Sequence, residues 1–189
     1  MNTYCINLKN RKSRWIKAQK EARKLLLKPI RFGAVFNHNG HLGCMLSHLQ
    51  LLEEIEEDVF MIIEDDILTL GTRDELDAAI EQLPDNWDML YLGAELHVPL
   101  ERYSDNLFRL KRGKVTHAII YNNQNNVVDY ILDHCFNPID EFYAEVIQER
   151  FNCFITDPMI CTQNPGYSDT IRWWKNYDEI NKNYKLYAK

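Results

Sequence analysis

Three consecutive acids, Glu64, Asp65 and Asp66, follow directly on the apolar run Val-Phe-Met-Ile-Ile at positions 59–63. Adjacent carboxylates repel one another unless a cation or a set of donors offsets their charge. Hard oxygen ligands of this kind favour Mg²⁺ or Mn²⁺, with substrate phosphates commonly completing the shell. Taken alone, the stretch fits a metal site and a solvated acidic turn equally well. A second source of chemistry is the segment from Lys9 to Arg31, which holds ten Lys or Arg residues and one acid, Glu21. Arg11 and Arg14 stand at the expected start of a helix there, and guanidinium forks match phosphate oxygens. A solvated helix face is the favoured account of the remaining charge, ahead of a basic rim that attracts phosphates. Asp140 and Glu141 open another expected helix, where capping explains them and a fixed catalytic pose is also available.

The elements that must carry these groups follow from hydrophobic pattern and punctuation. The run ending at Ile63 lacks alternation, as expected of a strand covered on both faces, so its acids fall at a strand's carboxyl end, where open α/β sheets bind ligands. Positions 4–8 read as a first strand and 11–27 as a helix with Trp15, Ala18, Ala22, Leu25 and Leu26 on one face. Pro29 closes that helix, and 30–36 returns as a strand, completing a β-α-β unit. A helix over 41–57 carries the stripe Leu42, Met45, Leu46, Leu49 and Leu52, interrupted by Ser47 and His48. His48 shares its side with Cys44, Leu51, Leu52 and Ile55, which suits a hydrogen-bonded core histidine.

Further along, Thr72 and Glu75 make a capping-box pattern ahead of a short helix that stops at Pro84. A strand follows at 89–92. Positions 107–110 and 115–121 read as a hairpin around Lys111-Arg112-Gly113-Lys114. A helix spans 127–135, and Asn137-Pro138-Ile139-Asp140-Glu141 starts the next by its cap residue, its proline and its acids. Short strands at 153–156 and 159–161 precede an aromatic tail with Trp173, Trp174, Tyr177, Tyr184 and Tyr187, expected mostly to dock on the core.

The 189 residues suit one domain, positions 1–189, with no linker or repeat. A hydrophobic share of 46% with 26% charged residues is globular, and the formal charge of −6 argues against a nucleic-acid partner. Five cysteines without a CxxC pair, in a chain opening without a signal peptide, point to a reducing, cytoplasmic setting and to buried thiols. No apolar run reaches the length of a membrane span, so any membrane contact is expected to be peripheral.

The order of residues resembles glycosyltransferase family 25, which includes lipooligosaccharide and collagen galactosyltransferases. The matching pieces are Ile6-Asn7-Leu8 with Arg11 and Arg14, Gly43-Cys44-Met45-Leu46-Ser47-His48, and Ile63-Glu64-Asp65-Asp66. They continue with Trp87 and Tyr91-Leu92-Gly93, Thr116 with Ala118 and Tyr121, Pro138-Ile139-Asp140, and Gln163 with Ser168-Asp169. The resemblance implies a GT-A-like α/β fold with a mixed, mainly parallel sheet flanked by helices. It implies a metal-dependent transfer of galactose or glucose from a UDP-sugar to a saccharide or protein hydroxyl, with inversion. Glu64 and Asp66 would then hold the divalent metal, Mn²⁺ before Mg²⁺. Asn7, Leu8, Arg11, Arg14, Ser47, His48 and Asp65 would contact the donor. Asp140 would be the base, with Glu141 and Asp169 in reserve, and Gln163 or Asp169 would supply a third metal ligand. His117 departs from the pattern, as a packing change or a donor-site change. The competing readings are a non-catalytic nucleotide-sugar or glycan-binding module, and a phosphohydrolase or receiver. The last pair is disfavoured by Glu at the first acidic position and by missing Asp and Lys partners.

Overall fold

The computed structural model describes residues 1–168 and 173–188. Its centre is an eight-stranded sheet built from β1 (Asn2–Asn7), β2 (Ile30–Gly33), β3 (Val59–Glu64), β5 (Met89–Tyr91), β6 (Glu101–Ser104), β7 (Leu107–Arg109), β8 (Ala118–Asn122) and β9 (Cys153–Thr156). β4 (Ile67–Thr69) lies outside it. The order is β2-β1-β3-β8-β5-β9-β7-β6. β1–β2, β1–β3 and β5–β9 are parallel and the other four pairings antiparallel, so six strands share one direction and only β7 and β8 oppose them.

Alternation along the strands divides the core into two layers. Phe60 and Ile62 of β3, Ile119 and Tyr121 of β8, and Met89 and Tyr91 of β5 face one side, under α2 (Gly40–Glu54), α4 (Val127–His134) and α5 (Ile139–Phe142). Met61, Ile63, Ile120 and Leu90 face the other, under α1 (Lys12–Lys24) and α3 (Arg73–Glu81). The strands read as continuous apolar runs because both faces are covered. α5 continues through a π-helical turn, Tyr143–Ile147, into Gln148–Arg150.

Several expectations are corrected. The expected hairpin over 107–121 does not form. β7 pairs with β6 and β9, whereas β8 inserts between β3 and β5. All five β8 residues are buried, and such a strand belongs in the middle of a sheet. α1 ends at Lys24 because Leu26 turns left-handed (φ 57°), letting the Leu27 N–H reach back to the Ala22 carbonyl at 3.1 Å. That closure leaves Leu26 exposed. The buried side of α2 is Gly43, Ser47, His48, Leu51 and Leu52, a rotation away from the expected leucine stripe. Trp173 and Trp174 stand exposed on the strand Trp173–Lys175, while Tyr177 is buried. The capping box at Thr72 and Glu75 forms as expected.

Candidate active site

The acids lie at the carboxyl edge of the parallel strands. β1 pairs with β3 so that Ile6 stands opposite Glu64, and Asn7 follows at the end of β1. Asp65 and Asp66 make the turn into β4, which pairs with the strand Cys161–Gln163 and thereby brings Gln163 alongside Ile67. These elements and the start of α2 enclose a cleft of about 340 Å³. Its lining includes Asn7, Leu8, Arg11, Arg14, Ser47, His48, Glu64, Asp65, Asp66 and Asp140. Among the described residues, one cleft therefore gathers every residue expected at the site except Glu141.

The three acids have different surroundings. Asp65 is satisfied: it accepts from Asn7 Nδ2 at 2.6 Å and from Arg14 Nη1 at 2.9 Å. Glu64 Oε1 accepts from the Thr116 hydroxyl at 2.5 Å and lies 3.4 Å from His48 Nε2. Burial pushes the Glu64 carboxyl up, but the His48 and Thr116 contacts outweigh it and hold the group below its ordinary range. Among the described residues, the Asp66 carboxylate meets only a 3.4 Å contact from Gln163 Nε2 and the Arg14 guanidinium at 3.8 Å. Burial, then the charges of Glu64 and Asp65, push its carboxyl up to about 7. A divalent cation would relieve that crowding of charge at Asp66, whose carboxylate is the hard oxygen ligand that Mg²⁺ or Mn²⁺ takes.

The neighbours that fix these groups come from local sequence chemistry. Asn7 Oδ1 accepts from Arg31 Nε at 2.8 Å, while its Nδ2 also reaches the Arg11 carbonyl at 3.2 Å. Arg14 ties α1 to the strand Gly166–Ser168 through the Tyr167 carbonyl at 2.6 Å. The Ser47 hydroxyl donates to the Gly43 carbonyl at 2.6 Å and accepts from the Val35 N–H at 2.8 Å. Gly43 leaves room for this packing, since a Cβ would lie 3.1 Å from the Val35 carbonyl oxygen, a tight contact. Val115, on the cleft wall beside Thr116, holds φ 69°, which for a β-branched residue stores on the order of 1–3 kcal/mol. Gln148 clamps the loop just before it, accepting from the Gly113 N–H at 2.8 Å and donating to its carbonyl at 2.7 Å.

Asp140 enters the cleft from the first turn of α5. Burial, then the neighbouring Glu141 charge, push its carboxyl up, against the pull of its hydrogen bond from the Glu141 N–H and of His41 and Lys114. Glu141 does not line the cleft, because its carboxylate is engaged by Lys114. Asp169 lies outside the described residues. His117 packs away from the cleft lining: it is fully buried, and its ring fills the space beside Gly93. Sequence reasoning missed His41, Tyr167, Lys175 and Tyr177 on the cleft wall. None sits in a motif, and only the tertiary path of the carboxyl-terminal segment brings the last three there.

A mixed sheet with helices on both faces, and an acidic turn at the edge of its parallel strands, define a GT-A-like α/β fold. No family model matches the chain, and no curated protein matches it by sequence. Among solved structures it is similar to a glycosyltransferase involved in the glycosylation of the major capsid of PBCV-1, with TM-score 0.54 and 10% identity, over 90% of this chain and 95% of that one. It is also similar to A197 from STIV, with TM-score 0.50 and 10% identity, over 92% and 93% of the two chains. The galactosyltransferase LgtC in complex with donor and acceptor sugar analogs aligns at TM-score 0.43 and 11% identity, over 100% and 97%. Among the described residues no helix is long and apolar enough to cross a membrane.

Proposed function

We propose that this chain is a glycosyltransferase that moves a hexose, galactose or glucose, from a UDP-sugar to a hydroxyl of a saccharide or protein, inverting the anomeric carbon. The observation that carries the reading is the pairing, in one cleft, of the frustrated Asp66 with a second raised carboxyl, Asp140, from an unconnected element. Paired carboxyl groups in distinct environments divide acid–base and electrostatic roles. The whole of 1–189 acts as one domain in this reading, and the sheet's continuity from β2 to β6 supports that.

Arg11 and Arg14 flank the donor diphosphate, with Asn7 and Asp65 holding Arg14 and the end of β1 in place. Glu64 and Asp66 would hold the divalent cation, Mn²⁺ before Mg²⁺, which when bound supplies charge stabilisation to the departing diphosphate. Asp140 accepts the proton of the acceptor hydroxyl as its oxygen bonds to the anomeric carbon. The carbon–oxygen bond to the diphosphate breaks and UDP leaves. A raised carboxyl is a stronger base than an ordinary one, which suits Asp140 to this step.

The test is release of UDP from UDP-galactose or UDP-glucose with Mn²⁺, across a panel of saccharide acceptors. Asp140→Asn should lower turnover by about 10²- to 10⁴-fold with donor affinity unchanged. Donor binding without turnover on any acceptor would leave a nucleotide-sugar-binding module instead.

A further inference from the structure

Cys44, His48 and Glu64 are not accounted for by a site for a hard cation alone. Cys44 and His48 are four residues apart on α2 and share its cleft-facing side, and Glu64 reaches them from the end of β3. One ligand atom from each lies within 4.8 Å of the other two. A tetrahedral cation with thiolate, imidazole and carboxylate ligands needs them about 3.5 Å apart, so an adjustment of about 1 Å closes the set. Two further observations point to a ligand there. His48 is fully buried, and among the described residues neither ring nitrogen has a partner closer than the 3.4 Å contact of Nε2 with Glu64. The Thr116 hydroxyl already orients the Glu64 carboxylate at 2.5 Å, which is the kind of outer support that metal-ligating carboxylates have. All three residues line the cleft, which gives an entry path and room for a water as fourth ligand.

We propose that Cys44, His48 and Glu64 form a second cation site, selective for a borderline-soft divalent ion such as Zn²⁺. The thiol proton leaves to solvent as the metal–sulfur bond forms. Mn²⁺ and Mg²⁺ prefer oxygen ligands and do not compete for the thiolate. Because Glu64 belongs to both sites, zinc withdraws it from Asp66. This consequence rests on the transferase reading: zinc weakens Mn²⁺-dependent donor binding.

The probe is Co²⁺ added to the metal-free full chain without nucleotide. The expected result is one equivalent bound with a thiolate-to-cobalt charge-transfer band, erased by Zn²⁺ and unaffected by Mn²⁺. Cys44→Ser should abolish the band, whereas Asp66→Asn should keep it. As a measurement needing no variant, one equivalent of Zn²⁺ should slow alkylation of Cys44 at least tenfold in the wild type, read by peptide mass. No thiolate band in the folded wild type, a band that survives Cys44→Ser, or unprotected Cys44 each overturns the proposal. In a separate arm, Zn²⁺ should weaken UDP binding in Mn²⁺ at least tenfold for the wild type and not for Cys44→Ser. If the band is present and UDP never binds, the zinc site stands and the transferase reading falls.

Discussion

Replacing Asp66 by Asn should make the metal-free protein more stable while removing its response to Mn²⁺. The Asp66 carboxyl, ordinarily at 3.8, is pushed up to about 7 by burial, then by Glu64 and Asp65. At about 1.4 kcal/mol per tenfold, that gap corresponds to about 4 kcal/mol against the ionised form. The side chain keeps 14% of its surface exposed on an open cleft, and solvent screening reduces the figure to about 2 kcal/mol. Between the two values the native state holds a proton that the unfolded state has lost. Wild-type stability therefore falls as pH rises from about 4 to about 7. Asparagine has no proton to lose, so the variant's advantage is complete above about pH 7 and fades toward about pH 4. For a chain of this length about 2 kcal/mol moves Tm by roughly 4–8 °C. The assay is thermal unfolding in EDTA at pH 8 and pH 4.5, repeated at pH 8 with Mn²⁺. In EDTA at pH 8 the variant should melt higher, with most of the difference gone at pH 4.5. Saturating Mn²⁺ should raise only the wild type. A variant equally destabilised at both pH values, or raised as much by Mn²⁺ as the wild type, would refute the electrostatic reasoning.

Three other substitutions probe the scaffold of the cleft. Gly93→Ala places a Cβ 1.9 Å from the Cys161 carbonyl oxygen, beside the two 2.8 Å bonds that the Ile160 and Cys161 N–H groups donate to Leu92. It should cost about 3 kcal/mol or more, read as a lower urea midpoint or as loss of folded protein. Ser47→Ala leaves the Val35 N–H without its acceptor and should cost about 1–3 kcal/mol, with the denaturant midpoint as the check. Arg14→Lys keeps the charge but replaces the fork that joins Asp65 to the Tyr167 carbonyl. It should weaken UDP binding by about tenfold in calorimetry, and unchanged affinity would remove Arg14 from the donor site.

The unbroken apolar run of β3 and the motifs at Asn7, Arg14, Ser47, His48 and Asp140 were legible because they depend on local hydrophobic pattern and residue type. The position of β8 was not, since a buried strand carries no mark of which strand it will join. β6, with three exposed residues, gave no apolar pattern to detect. Ser47 and His48 looked like interruptions of a leucine stripe. Ser47 is buried because Val35 and Gly43 partner it, and His48 is turned inward toward Glu64; these neighbours lie on other elements or a turn away. Pattern reading scores polarity; burial follows satisfied polarity.

The residue order alone therefore established that an apolar strand ends in three carboxylates, that arginines and a further acid stand at the starts of helices, and that a histidine lies within a leucine-rich one. It could not rank those carboxylates, because their differences arise from contacts made across the fold. Asp65 is satisfied by Asn7 and Arg14, Glu64 is held by Thr116 and His48, and Asp66 carries the repulsion of its two neighbours. Folding paired Glu141 with Lys114 away from the cleft lining, and set Cys44 beside His48 and Glu64. The physical reason is that ionisation and ligation depend on distance and desolvation, and both are set by long-range packing.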